Sequence, residues 1–350
     1  MKLRARILLL LLLTAPLLAR DSTDVIVMKN GDHLTGEIKG LSQGVLYISM
    51  QYILGTSQVQ WSKVDHIESK QLFLVKTEGG TVYTGTLSTA VAAEGRPMTI
   101  EVVESSSKQV QIERPKIVQM DQTSESFWQR FNGQINSGIT YTKGNQSTQY
   151  NLGANVAYPR ERWDASASYN STLSTSSGVT ATTRNQFNLE SEHLMRWDNW
   201  FYAGLAGLLQ SSVQEINIQS SIGGGIGRYL ANTNFARIYV LGGFGYQRTQ
   251  YSPNLAISNP QQVSTGLVAA GARLFRFNKT TLDVTTSVFP AISQPGRVYT
   301  NLNATYYIKV SGNLSWNVSF YGSWDNQPPP TFSGSDYGTS SGLSITWGNR

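Results

Sequence analysis

Ser191, Glu192 and His193 place a hydroxyl, a carboxylate and an imidazole within three consecutive residues, the groups that nucleophilic hydrolysis uses. In an extended segment Ser191 and His193 fall on one side with Phe187 and Leu189, and Glu192 falls on the other. No Asp or Asn can be assigned to orient the imidazole, so the sequence does not assemble a triad. A second set comprises Glu190, Glu192, Arg196, Arg237, Asp283 and Lys309, which share the polar parity of their segments. Arg273, in a segment of ambiguous phase, is grouped with them. Inside a barrel such charges either select a solute or pair off and fill the interior. His33 and His66 have no tight His/Asp spacing, and the chain has no cysteine, so neither a metal centre nor a disulfide is expected. Gly223, Gly225 and Gly227 alternate along a strand with no helix after them, which is not a nucleotide loop. No cofactor is implied.

Strands must position these side chains. In Asn313–Asp325, Leu314, Trp316, Val318, Phe320 and Trp324 fall on one parity, and Asn313, Ser315, Asn317, Ser319, Ser323 and Asp325 on the other. One greasy and one wet face result. About twelve such segments follow one another: 131–142, 147–158, 162–173, 184–197, 200–210, 216–230, 236–248, 263–275, 281–289, 298–308, 313–325 and 339–347. The fifth is more uniformly apolar than the rest, and the eighth has no clear phase. Short turns at 160–161, 198–199, 231–233, 278–279 and 311–312 alternate with mostly longer connections at 174–183, 211–215, 252–262, 290–296 and 326–338. That rhythm belongs to an antiparallel transmembrane β-barrel with an even strand count and both termini on the periplasmic side. A soluble sandwich would have strands of about 5–6 residues and no such loop alternation.

Composition agrees. Charged residues are 14% of the 350, against about 25% in soluble domains. The 17 Tyr, 8 Trp and 32 Gly suit a barrel with aromatic girdles. Residues 1–19, with a basic start and an apolar run from Ile7 to Leu13, read as a cleaved export signal too short to span a bilayer. Without them the balance is 25 basic against 22 acidic residues, too even and scattered to suggest a nucleic-acid partner.

Residues 22–120 contain a repeat. VIVMKNGDHLTGEI (Val25–Ile38) matches LFLVKTEGGTVYTGTL (Leu72–Leu87), and Val59-Gln60 recurs as Val110-Gln111. Each copy is about 45 residues, too small to be very stable alone, so the two are expected to share a core. The pattern resembles Sm-like or SH3-like barrels. That resemblance implies a binding module in which the turn at Lys29, Asn30 and Asp32 meets peptidoglycan or a periplasmic protein; the alternative is a solvated hairpin tip. Residues 121–130 read as a linker in which Ser124 or Ser126 caps a short helical turn.

Residues 131–350 resemble the family of salt-induced outer-membrane proteins, whose function is undetermined. The matching stretches are GITYTKGNQST (Gly138–Thr148), SIGGGIGRYL (Ser221–Leu230), VLGGFGYQR (Val240–Arg248) and YYIKVSGNLSWNVSF (Tyr306–Phe320). The resemblance implies an outer-membrane location and carries over no catalytic residue. The expected protein is therefore all-β: a barrel of about twelve strands in outer-membrane lipid, with a duplicated small β domain in the periplasm. Its role is structural or that of a narrow channel. A substrate-specific porin and a phospholipase-like lipid hydrolase are the alternatives. Outer-membrane phospholipases carry a lipid-facing Ser/His pair, but with the His before the Ser, the reverse of the order here.

Overall fold

The computed structural model describes residues 23–90, 99–104, 109–122, 131–142, 147–160, 162–176, 178–195, 198–252, 260–277, 279–328 and 333–347. The export signal, the helical turn read at 121–130 and Arg196 lie outside the described residues.

The N-terminal unit is a nine-stranded sheet. Its first copy is β1 (Asp24–Met28), β2 (His33–Ser42), β3 (Val45–Ser49) and β4 (Thr56–Gln60), followed by a 3-10 turn at Trp61–Lys63. One long strand, β5 (Val64–Thr77), ends the first copy and begins the second. The second copy continues with β6 (Val82–Thr89), β7 (Thr99–Glu104), β8 (Gln109–Glu113), a 3-10 turn at Arg114–Lys116 and β9 (Ile117–Gln122). The copies exchange edges: Leu41 of β2 pairs with Met120 of β9, and Leu87 of β6 pairs with Ser69 of β5. The two 3-10 turns meet where Trp61 Nε1 donates to the Arg114 carbonyl (3.1 Å) and the Arg114 guanidinium donates to the Val64 carbonyl. Burial lowers the Arg114 pKa, opposed by Asp65. A single apolar core joins Ile26, Ile38, Trp61 and Ile67 of one copy to Phe73, Leu87, Ile100 and Met120 of the other. Each copy lends the partner the apolar surface that it is too small to bury alone.

The remainder closes on itself. Strands β10 (Asn132–Thr142), β11 (Ser147–Pro159), β12 (Trp163–Ser176), β13 (Val179–Leu194), β14 (Trp200–Ser211) and β15 (Ile216–Asn232) form one half. Strands β16 (Ala236–Tyr251), β17 (Gln261–Arg276), β18 (Thr280–Pro290), β19 (Val298–Ser311), β20 (Leu314–Asp325) and β21 (Ser335–Trp347) form the other. Each pairs antiparallel with its neighbour, and β21 pairs with β10, giving a closed twelve-stranded barrel. Closure satisfies every ladder and leaves no edge.

The alternation has the direction read from sequence. In β20 Val318 is 40% exposed on the outside, while Asn317, 3% exposed, donates to Ser344 inside (2.8 Å). The outer surface carries a continuous apolar band that includes Ile139, Leu152, Leu189, Ile222, Phe244, Val268 and Leu343. Trp163, Trp200, Tyr202 and Trp316 flank it at one rim, and Tyr150, Tyr246 and Tyr337 at the other.

Two expectations change. The connection 174–183 is not a long loop: β12 runs to Ser176 and β13 starts at Val179, so the hairpin projects beyond the apolar band. A bulge between Ser174 and Ser176 and a left-handed Gly178 (φ 74°) turn the chain there. Its Ser/Thr-rich sequence pairs well as strand although it buries nothing apolar. The interior is also not uniformly polar. Leu194, Phe201, Tyr229, Leu241 and Leu267 form a buried cluster inside the barrel, joined by Leu205, Tyr239 and Phe289. That cluster explains why the fifth segment looked uniformly apolar and the eighth lacked phase, since β14 and β17 carry apolar residues on both faces. The alternating glycines accommodate it: a Cβ at Gly227 would strike the Phe201 ring, and one at Gly271 the Tyr239 ring.

Candidate functional site

The lumen is the site that the strands build, and its two ends differ. The end with short turns faces the N-terminal unit, which among the described residues touches the rim at four places. Lys76 of β5 reaches Asp164 of β12 at 3.5 Å. Asn199, in the β13–β14 turn, donates to the Glu78 carbonyl at 2.7 Å. Asn234, in the β15–β16 turn, donates to the carbonyls of Pro115 (3.1 Å) and Ile117 (2.9 Å). Lys309 of β19 donates to Gln58 of β4. Strands β12 and β19 lie on opposite sides of the ring, so a body that touches both, and the turns between them, lies across the mouth.

Lys76 is 3% exposed, and its ammonium points at the inward face of the wall. Behind Asp164 lie most of the charges read from parity. Glu190 and Glu192 of β13, Arg237 of β16, Arg273 of β17 and Asp283 of β18 all face inward at this end, as does Lys309. They are largely paired. Arg273 Nε donates to Asp283 at 2.8 Å, and Glu192 accepts from the Tyr229 hydroxyl. The Arg237 guanidinium lies 4.6 Å over the Tyr229 ring and interacts electrostatically with Glu192 and Asp164. Glu190 interacts across the lumen with Asp283 and Arg273. Asp164 Oδ1, Glu192 Oε1 and Arg237 Nε are buried without a protein partner, and groups of this kind are ordinarily met by ordered water.

At the far end two further ion pairs cross or brace the opening. Arg184 of β13 donates to Asp336 of β21 at 2.6 Å, and Ser211 of β14 donates to the same carboxylate at 3.2 Å. Around the ring β13 and β21 are separated by β12, β11 and β10, so this contact is a chord across the lumen. Two such side chains meet only where the walls are drawn together. Arg184 also lies 5.2 Å over the Tyr321 ring of β20. Beside it, Arg297, between β18 and β19, donates to both Asp325 oxygens at 3.1 and 2.6 Å.

Parity identified the inward charges of the domain end but missed Lys76, Asp164, Arg184, Asp336 and Arg297. Asp164 and Arg184 have the parity that would have found them, whereas Asp336 falls in the stretch 326–338 read as a connection. Lys76 acts from another domain and Arg297 from a connection, where alternation gives no signal. The turn at Lys29, Asn30 and Asp32 is exposed and knitted to itself, with Asn30 donating to Asp32 at 2.7 Å. Its counterpart in the second copy, from Lys76 to Gly80, is the turn that docks on the barrel.

Ser191 and His193 lie on the outer face, as parity requires, and the His193 ring stacks on Tyr202 with centroids 6.5 Å apart. Among the described residues no hydrogen bond joins the imidazole to Ser191 or to a carboxylate. His33 and His66 both sit opposite Val27, on either side of β1. Among the described residues no three metal-binding side chains gather.

A family model described as "Protein of unknown function, DUF481" matches residues 135–347, more than half of the chain. The chain belongs to this family. The DUF481 match begins in β10 and ends in β21, so it is the barrel that defines membership. No curated protein matches in sequence. Among solved structures, the translocator domain of the autotransporter NalP from Neisseria meningitidis is 15% identical, with 62% of this chain and 86% of that chain covered and a TM-score of 0.33. The NanC porin is 9% identical, covering 62% and 99% with a TM-score of 0.39. A Pseudomonas aeruginosa FadL homologue is 10% identical, covering 94% and 87% with a TM-score of 0.28. At such identities and scores these likenesses carry no argument about cargo or activity for this DUF481 chain.

Proposed function

We propose that the protein is a bacterial outer-membrane barrel whose lumen is a narrow, normally closed channel, shut at its periplasmic mouth by its own N-terminal domain. The observation that carries this reading is the set of contacts from Lys76, Glu78, Pro115, Ile117 and Gln58 to the rim, which brackets the opening from β12 to β19. The apolar band and its two aromatic rims support immersion in outer-membrane lipid. The paired lumen charges and the Arg184–Asp336 chord argue against an open, water-filled porin, since twelve strands enclose less space than the 16–18 of porins. The exposed Lys29–Asp32 turn is the free face toward envelope components, peptidoglycan or a periplasmic protein. The reading assigns no catalytic role, because the Ser191–His193 pair lacks an orienting group. In planar bilayers the purified full chain should give only rare, small conductance steps. Large, steadily open steps would overturn the closed-channel reading.

A further inference from the structure

The β3–β4 turn of the N-terminal unit carries three consecutive large apolar residues that the domain core does not use. Tyr52 is 71% exposed, Ile53 43%, and Leu54 projects entirely from the surface. Apolar surface gathered on a protruding tip marks a contact with something outside the domain. The duplication shows that the sheet does not require it. In the second copy the corresponding connection, between β7 and β8, has the sequence Ser105-Ser106-Ser107-Lys108.

The rim contacts give this hairpin a direction. At one end of the β3–β4 ladder Gly44 packs on the β15–β16 turn, where an added Cβ would lie 2.9 Å from the Asn234 carbonyl oxygen. Further along, Gln58 of β4 meets Lys309 of β19. Both are points on the wall of the ring, so the hairpin follows a chord of the mouth. A chord continued past its second end leaves the ring. From Gln58 to Leu54 is four residues, a reach of up to about 13 Å. Lys309 faces inward, so that reach carries the tip across the wall at β19 toward its lipid side.

The outer rim at that point matches a lipid interface. Val310, the residue after Lys309, is 59% exposed on the outer parity, and Trp316 of β20 is exposed at the same rim. Lys279, in the β17–β18 turn, is exposed, and its carbonyl accepts the Lys309 N–H at 2.9 Å. Apolar side chains and an indole suit the boundary of the acyl chains, and an ammonium suits the phosphates beside it. A partner protein would have to displace the lipid that already surrounds this rim.

We propose that Tyr52, Ile53 and Leu54 dip into the periplasmic leaflet beside β19 and β20 and anchor the N-terminal unit to phospholipid. The inference rests on the immersion of the barrel in outer-membrane lipid. The domain is then held on both sides of the mouth, by Lys76 at β12 and by lipid at β19. Freed at Lys76, it swings on its lipid edge.

The chain has no cysteine, so single introduced cysteines can carry a fluorescent label. The full chain is reconstituted in vesicles of phosphatidylethanolamine and phosphatidylglycerol, with and without brominated acyl chains. A label at Leu54→Cys should show blue-shifted emission and be quenched, more by lipid brominated near the headgroup than near the chain end. A label at Asn30→Cys, on the free turn, should be spared, and one at Val318→Cys should be quenched strongly. Tyr52→Cys and Ile53→Cys carry the same test if L54C does not refold. A tip label spared like the one at Asn30 would overturn the proposal. So would a blue shift without quenching, the sign of a second protein surface over the tip. In both cases quenching at Val318 would leave the immersion of the barrel standing, whereas no quenching at Val318 would overturn both.

Discussion

Reversing the charge of Lys76 should release the N-terminal domain from the mouth while leaving both folds intact. At 3.5 Å and an effective dielectric near 20, the Lys76–Asp164 attraction is about 5 kcal/mol. The Asp164 side chain is 32% exposed, so water screens the pair to about half of that. In Lys76→Glu the attraction becomes a repulsion of similar size, a swing of about 5 kcal/mol. Glu192, behind Asp164, adds to the repulsion. Among the described residues the other rim contacts are four hydrogen bonds, two from Asn234 and one each from Asn199 and Lys309. At about 1 kcal/mol each they total about 4 kcal/mol, too little to hold the domain against the swing. K76E should therefore lose amide-exchange protection at residues 77–80, 116 and 117 and gain frequent conductance steps. K76E/D164K, which restores opposite charges, should recover both. A K76E protein with wild-type protection and conductance would refute the reasoning, since the magnitudes leave no other contact among the described residues able to hold the mouth shut.

Arg184→Met leaves the Asp336 carboxylate buried without its partner, and removing one member of a buried pair costs about 3–5 kcal/mol. The temperature of heat-modifiable migration should fall, and R184M/D336L should recover part of the loss. Asp24→Ala removes the acceptor for the Ile38 N–H (2.8 Å) and the Ser69 hydroxyl, a buried bridge across the first copy. The expected loss is about 2–4 kcal/mol, read as earlier thermal unfolding of the N-terminal unit by circular dichroism with the barrel unchanged. Phe244→Arg puts a charge at a position 72% exposed in the apolar band, at a cost of about 2–4 kcal/mol in lipid. Its refolding into vesicles should need less denaturant to reverse than wild type, whereas a soluble protein would tolerate the change.

The barrel was legible because each strand meets two different surroundings, and alternation records that directly. β20 was read to within a residue from its Trp/Asn/Val/Ser alternation. The signal weakened where physical conditions departed from lipid outside and water inside. β14 and β17 lost their phase because Phe201 and Leu267 pack inside the barrel, and the hairpin of β12 and β13 was missed because beyond the apolar band alternation has nothing to record. The inward charges Glu190, Arg237 and Asp283 followed from parity alone. The pair at the far end did not, because ring closure brings Arg184 to Asp336 from 152 residues away. The repeat was visible as sequence, but both turns read alike. That the Lys76 turn docks while the Lys29 turn stays exposed follows from the orientation of the whole domain, which short-range pattern does not encode.

The central claim is that one face of every strand in 132–347 meets hydrocarbon while the other meets the interior of a closed ring. The most direct measurement is quenching of single fluorescent labels by brominated lipid in reconstituted vesicles, with cysteines introduced in turn at Asn317, Val318, Phe244 and Ser344. Labels at Val318 and Phe244 should be quenched strongly, and labels at Asn317 and Ser344 should be spared. Quenching at Asn317 and Ser344 with Val318 and Phe244 spared, or no quenching at any of the four, would contradict the account.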